Sequence, residues 1–547
     1  MDARLVVLTF PVLLLVRWLW KTFFSPHPLD NLPGPENPSF LIGHMGIFFS
    51  NWPGRKFQTD IVDTYGRAVM LKGTMGARQI YLADPKAIRV ITVREQDNFE
   101  ETAGFTANNK TTLGEGLTAT LGEQHRKGRR IVNPVFNVKH LRELVPVFLE
   151  ISAKMADRIS TELHDVGGET DILTWISRTA LDLIGLGGLG YSFHALDGGH
   201  ARYVSGSKLL GFADFALVPF WPILPNLIKI GTPEFRRAIL SSIPWLPCQN
   251  IIIAVDSMWS STVEVCSRYF TTEGNVDPKF KNIVTAHNLM TVLDEAKHAA
   301  NPAERMTQSE MMGQINSIVG ANGATTSRAL CMFIHLLSKH QEFQDKLRAE
   351  IIAAREKFGE HINYEQLESL PLLDASVRET LRLEPPIPMM GRTNNTAAIV
   401  PLMYPLKGRD GNMITELNIP AGTNVFIGIL PTNTDTATWG PDAREWRPER
   451  WLEPLPQTLT EANLPGVFSH QMTFMAGNRG CIGFKFATLE MKTIMMALLA
   501  HFRFRPSTQK HVEFVHANIF QPIADKVLDP TMPVHIEVLS RPEEKRD

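Results

Sequence analysis

The stretch FMAGNRGCIG, Phe474 to Gly483, holds one sulfur, Cys481, among Gly477, Gly480 and Gly483, with Arg479 two residues before it. Glycines take turn conformations closed to other residues and let a backbone approach a flat ligand closely. Backbone N–H groups in such a loop, with the start of a following helix, stabilise a negative sulfur. A nearby arginine can pair with a carboxylate on the same ligand. The chemistry this set suits is a metal–thiolate bond, and a thiolate on haem iron favours O–O bond cleavage. A cysteine in a glycine-rich turn also reads as an inert buried residue, so other groups must decide.

Further candidates stand upstream. In GEQHRKGRR, Gly122 to Arg130, His125 and Arg129 fall on one helical face, which reads as a solvated basic face or as a pair of donors for an anion. The run Met311 to His340 reads as a long apolar helix interrupted by Gly320, Gly323 and Thr325-Thr326-Ser327, hydroxyls that in mid-helix bond back to the previous turn. LDASVRETLRLEPPIP sets Glu379 and Arg382 one turn apart on a helix that Pro385-Pro386 ends. Such pairs are ordinarily exposed and worth under about 1 kcal/mol. The block Pro448-Glu449-Arg450-Trp451 adds another arginine.

The complete pattern F-x-x-G-x-R-x-C-x-G, at Phe474, Gly477, Arg479, Cys481 and Gly483, with the four marks before it in order, resembles the cytochrome P450 family from about Leu32 to Leu539. The resemblance implies a mainly α fold with small β-sheets, a single large catalytic domain. It implies haem b between the Thr325 helix and the helix after Cys481, with Cys481 as the metal ligand. His125, Arg129, Arg392 and Arg479 are then propionate partners, and Glu379, Arg382 and Arg450 a structural triad. Phe105, Ala321, Met389 and Phe520 fall where the family touches substrate, and Met389 with Met390 suits an apolar pocket.

Two departures from the family pattern matter. His125 stands where the family has tryptophan, yet still offers a ring N–H. In the motif A-G-x-acid-T-T, Ala321, Thr325 and Thr326 match, while Asn322 replaces the glycine and Ala324 the acid. Thr325 is then the catalytic alcohol, with Asn322, three residues earlier, orienting a water in place of the acid. The implied reaction is insertion of one oxygen atom from dioxygen into a lipophilic terpenoid, steroid, fatty acid or aromatic. The missing acid keeps open a haem-thiolate isomerase or dehydratase, or a non-catalytic haem-binding protein.

The elements that position these groups are partly legible. Alternating apolar patterns between Arg67 and Arg94 predict short strands, with Pro85 opening a helix. Thr102 to Leu121, rich in Gly, Thr and Asn, predicts a loop. Val138 to Gly190 predicts packed helices, and Arg503 to Leu539 strands and turns. Phe212 to Pro247 is unusually apolar but broken by prolines, and reads as core or as a lid dipping into a membrane surface.

Of 547 residues, 44% are hydrophobic and 20% charged, enough for a large core. A net charge of −2 gives no reason to expect nucleic acid. Four cysteines without a CxxC pair argue against a zinc module or disulfide scaffold and fit a reducing compartment. Residues 1–24, with the run Leu5 to Trp20, predict an uncleaved membrane anchor rather than a signal peptide. Residues 25–38 predict a proline-stiffened hinge and 39–547 the catalytic domain. The resemblance then implies an endoplasmic reticulum protein facing the cytosol. From Phe484 to Asp547 there is no room for a flavin or ferredoxin domain. The expected partners are therefore a separate NADPH–cytochrome P450 reductase and cytochrome b5, with Arg126, Lys127 and Arg130 as a positive docking patch.

Overall fold

The computed structural model describes residues 26–164, 167–269, 288–359 and 361–539, so the predicted anchor lies outside the described residues. The architecture is mainly α with small sheets, as expected. A five-stranded sheet runs in the spatial order Ala68–Lys72, Arg78–Leu82, Asn424–Gly428, Met389–Asn394, Phe99–Glu100. Its strands Met389–Asn394 and Asn424–Gly428 are antiparallel, with Met389 opposite Gly428 and Arg392 opposite Val425, which puts Met389 and Arg392 on opposite faces of the sheet. The main apolar core lies among the helices, and a second cluster lies behind the sheet.

The long helix is Gln308–Lys339. It starts at a reciprocal cap, Thr307 accepting from the Glu310 N–H while Glu310 accepts from the Thr307 N–H. Its residues are apolar nearly all round, as a helix through the centre of a large core must be. It packs against the Phe484–His501 helix, whose Leu489, Met491, Ile494 and Met495 are fully buried. Among the described residues one stretch, Ile172–Leu189, is long and apolar enough to cross a membrane, and it is buried in this core.

Two expectations need revision, and one open alternative is decided. The proline-rich stretch packs on the body from Leu29 onward. Leu29 and Leu32 are buried, and Asp30 takes a two-pronged bond from Arg78 at 2.6 and 2.9 Å. Part of the predicted Thr102–Leu121 loop is the helix Ala103–Thr112. Thr102 caps it by accepting from the Phe105 N–H, and Asn109 bonds back to the Phe105 carbonyl. These local bonds, with burial of Ala107, Asn108 and Asn109, override poor helix propensity. Of the two readings of the apolar segment, core holds for Ala213, Phe215 and Val218, but not beyond, where Phe220, Ile223, Leu227, Ile230, Phe235 and Ile239 are all exposed.

Candidate active site

The cysteine loop is held by its own backbone. The Cys481 N–H donates to the Phe474 carbonyl at 2.8 Å and the Gly480 N–H to that of Gly477 at 3.0 Å. Gly477 has φ +66°, and a Cβ there would stand 1.9 Å from the Thr92 carbonyl oxygen, so only glycine fits. Phe474 packs edge-on against Phe468, with ring centroids 5.6 Å apart, and tilts toward Phe484. Gly483 differs from Gly477. A Cβ on it would meet only Phe136 at an ordinary 3.6 Å, so contacts inside the protein do not demand glycine there.

Cys481 is accessible, yet protein surrounds it on all sides, so its sulfur borders interior space. Burial pushes the thiol up, while the Gly483 N–H and the Arg129 guanidinium pull it back toward the thiolate. On the Gln308–Lys339 helix, buried for most of its length, Ala321 is exposed and Thr325 half-buried. The Thr325 hydroxyl donates to the Ala321 carbonyl at 2.9 Å, leaving its lone pairs free to accept.

Four cationic or basic side chains converge beside the loop. Arg129 donates to the carbonyls of Asn478 and Gly480 at 2.7 and 2.6 Å, tying the Gly122–Val132 helix to the cysteine loop. Arg479 reaches the Thr120 carbonyl at 2.9 Å, and Arg392 pairs with Glu101 at 2.7 Å. Burial, and after it the charges of Arg479, Arg129, Arg126 and Arg392, hold His125 down at about 3, so it is neutral. Arg129 and Arg479 are themselves held below the usual guanidinium range, by burial first. With Glu100 and Glu101 the carboxylates opposing Arg479, the cluster keeps a surplus of positive charge. A planar ligand with a thiophilic metal and two carboxylates fits this donor set, and Cys481, His125, Arg129, Arg392 and Arg479 would hold it.

The structural triad closes as a buried network. Glu379 accepts from Arg382 twice at 2.8 Å and from Arg450 at 3.4 Å, all three nearly free of solvent. The spare Arg382 donors reach the carbonyls of Asn433 at 2.8 Å and Ala443 at 2.6 Å. Asn433 continues toward the cysteine loop, its side chain accepting from the Met472 N–H at 2.7 Å and donating to Thr473 at 2.8 Å.

Other predicted residues separate. Asn322 points to the Ala180 carbonyl at 3.3 Å and to the buried Glu490, both on packed helices, rather than sharing Thr325's outlook. Phe105 and Met389 line a cavity of about 490 Å³, together with Phe49, Met390, Trp221 and Phe426. Phe520 does not line it; it is fully buried against Met332 and Leu430, with the Arg55 guanidinium over its ring. The expected positive patch is neutralised by pairing, Arg126 with Asp97 and Glu123, Lys127 with Glu310, and Arg130 with Glu304. Sequence reasoning missed Asp214, which lines the same cavity between Asn108 and Asn518. Its signal was one acid inside the apolar run FADFALVPFW.

The family described as Cytochrome P450 matches residues 33–525. Cytochrome P450 monooxygenase 91 of Postia placenta is 38% identical over 539 residues, covering 98% of this chain and 99% of that protein. Cytochrome P450 monooxygenase 212 of the same fungus is 37% identical, covering 92% and 93%. Ganoderic acid synthetase CYP5150L8 of Ganoderma lucidum is 33% identical, covering 97% and 98%.

Proposed function

The chain belongs to the cytochrome P450 family as a haem-thiolate monooxygenase, and from that premise we propose that it oxidises a lipophilic small molecule at a membrane surface, with electrons from an NADPH-dependent reductase. The observation that carries the reading is the pairing of an accessible Cys481 with a surplus of half-buried cations, Arg129 and Arg479, at its side. Haem b bound there supplies reductive activation of dioxygen, which electron donation from the thiolate favours.

The protein's own groups do the rest. Gly477 and the Phe474 carbonyl fix the Cys481 backbone, and Arg129 ties the loop to the helix beside it. Toward bound haem, neutral His125 would donate a ring N–H and the arginines would pair with its carboxylates. The Thr325 hydroxyl, donating to the Ala321 carbonyl, keeps lone pairs with which it would accept a hydrogen bond beside a bound haem, and the separate apolar cavity would shield a lipophilic substrate from water.

The membrane part of the proposal rests on the apolar residues 5–20 and on the exposed Phe220, Ile223, Leu227, Ile230, Phe235 and Ile239. The endoplasmic reticulum, cytosol-facing, is the location this anchor suits. Cytochrome b5 is proposed as a second electron donor.

The test is a carbon monoxide difference spectrum of the reduced protein, followed by turnover. The thiolate-type Soret band is expected in the natural protein and absent in Cys481→Ala. Product formation must require NADPH, reductase and dioxygen together; turnover without dioxygen would instead support an isomerase.

A further inference from the structure

The 490 Å³ cavity is mostly apolar, and at one polar point on its wall three elements meet. Asn108 comes from the Ala103–Thr112 helix, Asp214 from the Ala201–Leu217 helix, and Asn518 from the turn between strands Val512–Ala517 and Ile519–Ala524. Asp214 Oδ1 accepts from Asn108 Nδ2 at 2.7 Å and Oδ2 accepts from Asn518 Nδ2 at 3.0 Å. Asn518 holds φ +60°, a left-handed conformation asparagine tolerates, and this aims its amide at the acid.

Nothing in packing alone calls for this arrangement. Asp214 is half-buried at the cavity wall, deep enough to be desolvated, and no lysine or arginine among the described residues forms an ion pair with it. A buried carboxylate without a cation is costly, and an apolar residue would cost less. Burial pushes its carboxyl up to about 6, and the two amides act against that shift. A carboxylate offers about four lone-pair positions, and the amides use two. All three residues line the cavity, so the unused acceptor capacity is open to a ligand.

We propose that Asp214, oriented by Asn108 and Asn518, is the polar anchor of the substrate site and accepts a hydrogen bond from a hydroxyl on an otherwise lipophilic substrate. The inference rests on the monooxygenase reading, because it takes this cavity as the substrate's. It also narrows the substrate class. An ionised fatty acid brings its carboxylate against Asp214 and is disfavoured, whereas an alcohol satisfies the acceptor. A bond to a charged group corresponds to about tenfold to hundredfold in affinity.

The experiment titrates the haem-loaded full chain with dodecanol, dodecyl methyl ether and dodecanoate, reading the spin-state shift. Dodecanol is expected to bind at least about tenfold more tightly than the ether, which cannot donate, and more tightly than dodecanoate. Asp214→Leu should erase the preference while keeping ether affinity and the thiolate carbon monoxide band. If that variant does not fold, Asp214→Asn, which keeps the shape, must reduce the preference. Dodecanol that fails to bind or binds no better than the ether, or a preference undiminished in either variant, overturns the anchor. A natural protein without the thiolate band would overturn the monooxygenase reading instead, so the two failures are distinguishable.

Discussion

Glu379 and Glu490 lie on helices packed against each other, Pro371–Leu383 and Phe484–His501, and neither exposes any surface. Their surroundings are opposite. Glu379 accepts from Arg382 twice, from the Trp451 ring at 2.9 Å, from the Arg447 N–H at 3.1 Å and from Arg450. Neither Glu490 oxygen has a hydrogen-bond partner within the usual distance. Its one polar influence is the Asn322 amide, already committed to the Ala180 carbonyl. Burial therefore pushes the Glu490 carboxyl well above the usual glutamate range, toward the neutral acid. Burial alone does not decide whether an acid is a charge: donors do. The Glu379 network uses its charges for rigidity, whereas Glu490, influenced only by the Asn322 amide, is pushed toward its protonated form.

The largest effect should come from opening the closed network. Glu379→Ala leaves Arg382 and Arg450 buried without their anion, a class of change that costs about 3–5 kcal/mol. Chemical denaturation should show that loss, and the thiolate carbon monoxide band should fall with it. A cost below about 1 kcal/mol would place Glu379 with ordinary helix-surface pairs and end the contrast.

A smaller loss is expected where the network hands over to the cysteine loop. Asn433→Ala removes the acceptor for the Met472 N–H and the donor to Thr473, leaving a buried amide unsatisfied for about 1–3 kcal/mol. Haem retention on dilution should drop more than global stability does. Equal loss of both would make Asn433 an ordinary core residue.

The contrast also explains what could be read ahead of the structure. The loop pattern and the Glu379, Arg382 and Arg450 marks are local motifs, and their roles follow from types and short spacing. Long-range partners left no such trace. The carboxylate facing Arg392 is Glu101, 291 residues away, and Asp214 meets Asn518 across 304. A spacing of three residues suggests that Asn322 shares Thr325's side, but three residues turn a helix by about 300°, so the two side chains diverge by about 60°. At a crossing of packed helices that angle separates the cavity from the Ala180 carbonyl. The Ala103–Thr112 helix was hidden because its stability lies in caps and back-bonds, not in apolar periodicity.

The smallest effect at acid pH, and the sharpest discriminator, belongs to Glu490. Glu490→Gln replaces one neutral group with another of nearly the same shape, so near pH 5 the variant should lie within about 1 kcal/mol of the natural protein. Raising the pH separates them. Above the ordinary glutamate value of 4.5 the unfolded chain has lost the Glu490 proton, while the folded chain, its pKa raised, keeps it. With more protons bound folded than unfolded, stability falls as pH rises, until the folded pKa is passed. The natural protein should therefore lose ground to Glu490→Gln by about 1.4 kcal/mol per pH unit across that window. Denaturation curves of the two proteins at several pH values give this difference directly, since every other titrating group cancels. A difference that stays flat with pH would mean that Glu490 is ionised in the folded protein, with donors supplied to it as they are to Glu379.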